Sequence, residues 1–111
     1  MTADSFVFLN VGYKGRVVRV GDIVTINVSK NELSVRLHDK TLHVIRGSLV
    51  NVMRKLPSDL FFVVDRNCAV NLSQIGKVNG AMRNISLQLT DGREIIVSRE
   101  QSRAFRKQLT L

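Results

Sequence analysis

Catalysis needs a nucleophile with a base beside it, a pair of acid–base groups, or a cluster of metal ligands, and this chain offers little of any. Its two histidines, His38 and His43, flank a short polar link, and two imidazoles do not complete a zinc site without a third His or Cys. They read as exposed or half-buried strand residues. The lone cysteine, Cys68, stands in an apolar stretch with no activating base nearby in sequence, so a buried, inert thiol is expected. The glycines spell neither a phosphate-cradling loop nor a dinucleotide fingerprint. The reading is a chain that is not an enzyme, with no catalytic residue, no metal site and no cofactor.

What remains is cationic donor chemistry. Lys and Arg number 17 against 9 Asp and Glu, a net charge of +8, which makes DNA, RNA or an anionic membrane surface natural partners. The excess is spread evenly, with 9 basic and 5 acidic residues before position 61 and 8 and 4 after it. Any binding face must therefore be assembled by folding. Asp65, Arg66 and Asn67 interrupt two apolar stretches, a break that puts Arg66 and Asn67 at a bend. Arg can give two parallel hydrogen bonds to guanine O6 and N7, and Asn can pair similarly with adenine. The alternative is a solvated turn in which Asn67 satisfies its own backbone. Arg99, Arg103 and Arg106 fall at i, i+4 and i+7, one stripe of a helix, able to grip phosphates or to serve as a wet face. Phe61 and Phe62 could stack bases in an RNA-binding sheet, but adjacent aromatics in an apolar run read first as core.

The elements that must position these groups follow from periodicity. Phe6–Leu9, Arg16–Val20, Ile23–Ile26, Leu33–Leu37, the segment carrying Leu42 and Val44, Phe61–Val64, Ala69–Val70, Ile85–Leu89 and Ile95–Val97 read as strands. Leu42 and Val44 continue the alternation of Leu33, Val35 and Leu37 across the link 38–40. Asn79-Gly80 and Asp91-Gly92 are turn dipeptides. Leu49, Val52, Met53 and Leu56 share one face of a short helix capped by Ser48 and stopped by Pro57. A C-terminal helix starts in a capping box in which Ser98 and Gln101 each reach the other's backbone N–H, with Phe105 and Leu109 facing inward. No apolar run is long enough to span a membrane, and the N-terminus is no signal peptide. The expectation is one domain over 1–111, with a core of about 6–109, in a reducing cytoplasm.

Taken in order, these segments resemble the LytTR DNA-binding domain. The stretch from Gly21 and Asp22 to Ile26 is similar to the family's Asp-Ile-aromatic-Ile strand, and Ser48–Leu56 with Pro57 to its helix and Leu-Pro link. Phe61 to Ile75 resembles its most diagnostic run, Phe-x-Arg-x-His-Arg-Ser-x-x-Val-Asn-x-x-x-Ile, and Ile96 to Arg99 its closing Val-Ser-Arg motif. The resemblance implies a mostly β fold: about ten short strands in small antiparallel sheets, one short helix between sheets and a short C-terminal helix. It implies sequence-specific binding of double-stranded DNA as a transcriptional regulator or its output domain. Loops would enter successive major grooves of direct-repeat sites bound by two copies, with a receiver domain or other signalling partner possible. Carried over residue by residue, the contacts fall on Arg66 and Asn67, on Lys30 and Asn31, and on Ser98 and Arg99, with Arg103 on a phosphate. Asn71 falls to turn architecture. Asp65 stands where the family usually has His, Val63 where Arg is common, Asn67 replaces Ser, and Glu100 stands where a second Arg often contacts bases. The competing reading is a protein-interaction module on the same fold with weakened DNA contact.

Overall fold

Branched and aromatic residues alternating with polar ones favour pleated, half-buried backbone, and strands dominate the computed structural model, which describes residues 1–81 and 84–110. The strands are β1 (Phe6–Val11), β2 (Lys14–Arg19), β3 (Ile23–Ser29), β4 (Glu32–Leu37), β5 (Leu42–Arg46), β6 (Phe61–Asp65), β7 (Cys68–Asn71), β8 (Ile75–Ala81), β9 (Asn84–Leu89) and β10 (Glu94–Val97). The helices are α1 (Leu49–Lys55) and α2 (Arg99–Leu109). All pairing is antiparallel. A five-stranded sheet runs β5-β4-β3-β7-β6, a three-stranded sheet β10-β9-β8, and β1 and β2 form a ribbon.

The five-stranded sheet is apolar on both faces. On one face, Ile23, Ile26, Leu33, Val35, Phe61 and Ala69 pack with Leu9 and Val18 of the ribbon and with Leu49 and Leu56 of α1. On the other, Val24, Phe62, Val64, Cys68 and Val70 pack against Ile85, Leu87 and Leu89 of the three-stranded sheet and Phe105 of α2. This explains the unbroken apolar runs in the sequence, because a strand buried on both sides has no polar positions to alternate with. A register slip between Ile23 and Thr25 against β4 inserts one extra residue. The bulge turns Val24 to the second face and returns Ile26 to the face of Ile23. Phe62 and Phe105 meet edge to face, centroids 5.3 Å apart, the arrangement the ring quadrupoles favour. The expectation that Phe61 and Phe62 are core is met.

Two polar knots tie the layers. Buried Asn71 donates from Nδ2 to the carbonyls of Gly21 (3.2 Å) and Ile23 (2.8 Å), and its Oδ1 accepts from the N–H and the hydroxyl of Ser73. It is an architectural residue, as expected. Arg93 donates from Nε to Asp91 Oδ2 at 2.9 Å and from its guanidinium to Thr25 Oγ1 at 2.6 Å, stitching the three-stranded sheet to β3. The Asp91 side chain is wholly buried. Burial alone pushes its carboxyl up; the Arg93 backbone N–H and guanidinium, with the Arg36 charge, outweigh this and hold it below the usual carboxylate range.

Three expectations need correction. Asn79-Gly80 is no turn: Asn79 pairs with Ser86 and Gly80 with Ile85 inside the β8–β9 hairpin, whose tip, 82–83, lies outside the described residues. Gly80 is needed for another reason. Its φ is +92°, and a Cβ there would meet the Asn84 carbonyl oxygen at 1.8 Å. Leu42 and Val44 do not continue the core face. Leu33 pairs with Ile45 and Val35 with His43, so Leu42 and Val44 stand opposite Arg36 and Ser34 and are exposed. Leu109 is exposed rather than inward. It is the last residue of α2, beyond the reach of the sheet that holds Phe105.

Candidate nucleic-acid interface

Two hairpins and one helix start emerge at the same end of the five-stranded sheet. Ser29 pairs with Glu32, leaving Lys30 and Asn31 as a two-residue tip between β3 and β4. Lys30 takes the left-handed conformation, φ 57°, which tight hairpin turns require and which costs a residue with a Cβ about 1–2 kcal/mol. Asp65 pairs with Cys68, leaving Arg66 and Asn67 as the tip between β6 and β7. Because β7 runs antiparallel to β3, with Asn27 opposite Cys68, the end of β3 lies beside the start of β7. The Val28 N–H donates to the Asn67 carbonyl at 2.8 Å, so the two tips stand side by side, on strands about 4.8 Å apart.

The helix start is fastened to the same end. Ser98 caps α2, its hydroxyl accepting from the Gln101 N–H at 3.2 Å. The reciprocal half of the capping box is absent, because the Ser98 N–H donates instead to the Val64 carbonyl at 2.9 Å. This departure has a positional meaning. It pins the first turn of α2 to β6 one residue before Asp65, while Phe105 on Phe62 holds the rest of the helix down. Arg99 and Arg103 lie one turn apart on the exposed side. Among the sequence-derived candidates, then, Lys30, Asn31, Arg66, Asn67, Ser98 and Arg99 are brought to one end, and Arg103 follows along the helix.

The turn at Arg66 is solvated, as in the alternative weighed above, but another residue closes it. It is Asp65, not Asn67, that closes the turn: its Oδ1 accepts from the Asn67 N–H at 2.7 Å. The carboxylate is thus turned into the hairpin, and the Arg66 and Asn67 side chains are left exposed at the apex. Glu100, by contrast, is exposed in the first turn of α2. Sequence reasoning missed Arg46, which pairs with Glu32 across β4–β5 and so lies at this end as well; Gly47 beside it donates to the Asn31 carbonyl at 3.2 Å. Once the β4–β5 hairpin was identified, its register alone could have found it. Behind this end, Cys68 is buried, and burial together with the Asp65 charge pushes its thiol up to about 11. His43 Nε2 and an Arg16 guanidinium nitrogen are 3.0 Å apart, and His38 Nδ1 sits 3.1 Å from Gln74 Oε1. No group of three or more His, Cys, Asp or Glu able to hold a metal occurs among the described residues, nor any helix long and apolar enough to cross a membrane.

The fold is thus a β domain that collects two short loops, carrying Lys30 and Arg66, and a helix start at one sheet end. The chain belongs to the LytTR family: the model of the LytTr DNA-binding domain matches residues 13–110. It is thus a DNA-binding domain of the kind used in bacterial transcription regulation. Among characterised proteins it is similar to the sensory transduction protein LytT of Enterococcus faecalis, 29% identical over 91 residues, 81% of this chain and 37% of that protein. The chain therefore spans little more than a third of that relative's length. Among solved structures, a LytTr DNA-binding domain from Bacillus cereus superposes with a TM-score of 0.84 over 96% of this chain and 98% of that one, at 21% identity. The fold is shared; among the described residues of this chain it comprises ten strands in three antiparallel sheets and two helices.

Proposed function

We propose that the 111 residues act as one unit that reads double-stranded DNA in a sequence-specific way. The two hairpin tips and the start of α2 enter major grooves, and two copies occupy a direct repeat. Arg66 reads a guanine edge through a bidentate contact and Asn67 a neighbouring base. Lys30 and Asn31 approach from the adjacent tip, Ser98 and Arg99 from the helix start, and Arg103 grips a phosphate. The observation that carries this reading is the adjacency of the three segments: the Val28–Asn67 and Ser98–Val64 backbone hydrogen bonds hold them at one end. A groove about 12 Å wide admits such a tip. The protein works in the cytoplasm, as a transcriptional regulator or its output domain, with a receiver domain or other signalling partner.

Selection of bound duplexes from a random pool tests this directly. The expected result is an enriched motif that repeats in one orientation about one helical turn apart, with affinity falling steeply as salt rises because several phosphates are neutralised. No enrichment together with a shallow salt dependence would refute it and favour a protein-binding role for the same surface.

A further inference from the structure

The ribbon of β1 and β2 lies on the face of the five-stranded sheet that carries α1, with Leu9 and Val18 in the core there. It rests against β5, where an Arg16 guanidinium nitrogen and His43 Nε2 are 3.0 Å apart. Its open end, Phe6 and Arg19, lines a depression with Leu37 and His38, where β4 finishes. Its closed end points the other way. Asn10 and Gly12 line a second depression with Glu32 and Arg46, the residues next to the Lys30–Asn31 tip. The closed end therefore joins the two tips already placed at the hairpin end of the molecule. It is built as they are. Val11 pairs with Lys14, leaving Gly12 and Tyr13 between them. Gly12 has φ +63° while Tyr13 keeps a negative φ, as in a hairpin turn with Gly at the first central position.

The charges of the ribbon divide by position. Residues 6–19 hold three cations and no acid. Arg16 pairs with Asp39 at 3.5 Å and Arg19 with Asp22 at 3.0 Å. Lys14, at the tip, is exposed and makes no ion pair among the described residues. Glu32, the acid lining the depression, stands directly across from Arg46, opposite charges at a paired position, so the net charge of the spot is that of Lys14. Tyr13 beside it is fully exposed. We infer that this tip is a further contact on the duplex: the Tyr13 hydroxyl donates to a phosphate oxygen and the Lys14 ammonium lies against the same backbone. The inference rests on the DNA reading above. Distance selects phosphate over base. Layers packed face to face lie about 10 Å apart, and the major groove is about 12 Å wide. A tip one layer away from Lys30, which that reading puts in the groove, stands beyond the half-width of about 6 Å and over a bordering strand. Lysine and tyrosine are among the donors that position a protein on phosphates without reading sequence. The ribbon tip thus adds affinity and footprint and leaves base preference alone.

The test compares Lys14→Ala, Tyr13→Phe and Lys40→Gly with the native chain on the duplex selected from the random pool and on an unrelated duplex, each across a salt series. Lys40 lies in the β4–β5 link at the opposite end and has φ 72°, so Lys40→Gly removes the same unit of charge away from the proposed contact and without strain. All three sites are exposed, and thermal melts should show the fold intact. Lys14→Ala should weaken both duplexes alike and flatten the salt slope by about one. Tyr13→Phe should weaken both by about two- to tenfold, the worth of one hydrogen bond, with the slope unchanged. Lys40→Gly should alter neither affinity nor slope. Ethylation of a phosphate flanking the selected motif should impair the native chain and Lys40→Gly while leaving Lys14→Ala unaffected. A native chain that binds no duplex would overturn the DNA reading and this inference with it. Salt-dependent binding by the native chain that Lys14→Ala and Tyr13→Phe both leave unchanged would overturn this inference alone, as would a loss in Lys40→Gly equal to that in Lys14→Ala.

Discussion

Arg66 stands at the apex of a two-residue tip whose backbone is closed from below by the Asp65 carboxylate. Its guanidinium is therefore presented by a fixed support rather than by a floppy loop. Arg66→Ala is expected to cost about 1–3 kcal/mol on the preferred duplex and to relax preference at one base position. Arg103→Ala should weaken all duplexes alike and flatten the salt slope by about one. Competition binding across single-base variants separates the two, and a uniform loss for Arg66→Ala would make it a phosphate contact. Lys30 permits a cleaner separation of roles. Its positive φ is strained for lysine and natural for glycine. Lys30→Gly should leave stability unchanged or raise it by up to about 1 kcal/mol while lowering duplex affinity; loss of stability together with affinity would contradict this. Cys68, buried and with its thiol pushed up to about 11, should resist maleimide at about pH 8, where little thiolate forms. Labelling at the rate of global unfolding is the expected outcome, and fast labelling of native protein the contrary one. At this scale the sequence was informative about which residues are polar at bends, and silent on which of them closes the turn. Asp65 and Asn67 have the same capping chemistry, and only the register of β6 on β7 decides between them.

At the scale of elements, the joints matter more than the strands. The buried Asp91 is held by Arg93, which also donates to Thr25 Oγ1 and so joins two sheets. Since the folded carboxyl lies below its ordinary value of about 3.9, ionisation favours the fold. That contribution is complete above about pH 4 and is lost as pH falls through the depressed value. Denaturant midpoints measured from about pH 7 to 2 should therefore fall more steeply at the acid end for the native chain than for Asp91→Asn. The variant, whose amide cannot ionise and bonds Arg93 less strongly, should be less stable by about 1–3 kcal/mol at neutral pH. Parallel acid limbs would exclude this role. Strand positions were legible where one face is wet, as in Ile85, Leu87 and Leu89. They were legible only as apolar runs where both faces are dry, as in Phe61–Val64, because hydrophobicity there does not say which side chain points where. The bulge at Val24 and the outward phase of Leu42 and Val44 were not legible, since both depend on pairing partners distant in sequence. Asn79-Gly80 misled because a glycine with positive φ serves a close strand crossing as readily as a turn.

For the whole molecule, the net charge of +8 gains meaning from placement. Lys30, Arg66, Arg99 and Arg103 gather toward one end, where Glu32, beside the first tip, and Glu100, in the first turn of α2, are exposed acids. Glu100→Arg should tighten binding to unrelated duplexes and steepen the salt slope by about 0.9 or more, as replacing an anion by a cation adds a neutralised phosphate. Unchanged binding would mean that the first turn of α2 faces away from the duplex. The residues expected to contact DNA were recognisable from their order along the chain. Their convergence was not, since it is made by two backbone hydrogen bonds, Val28 to Asn67 and Ser98 to Val64, between residues that carry no special sequence signal.

The brevity of the two tips has a consequence for how such a surface can diversify. Each is two residues long between paired positions, so an added or deleted residue would shift the strand register and turn buried side chains outward. If the tips contact DNA as proposed, new target preferences at them would arise by exchanging side chains at 30, 31, 66 and 67 rather than by lengthening the loops. A combinatorial library confined to those four positions should yield domains with altered operators and undiminished melting temperatures.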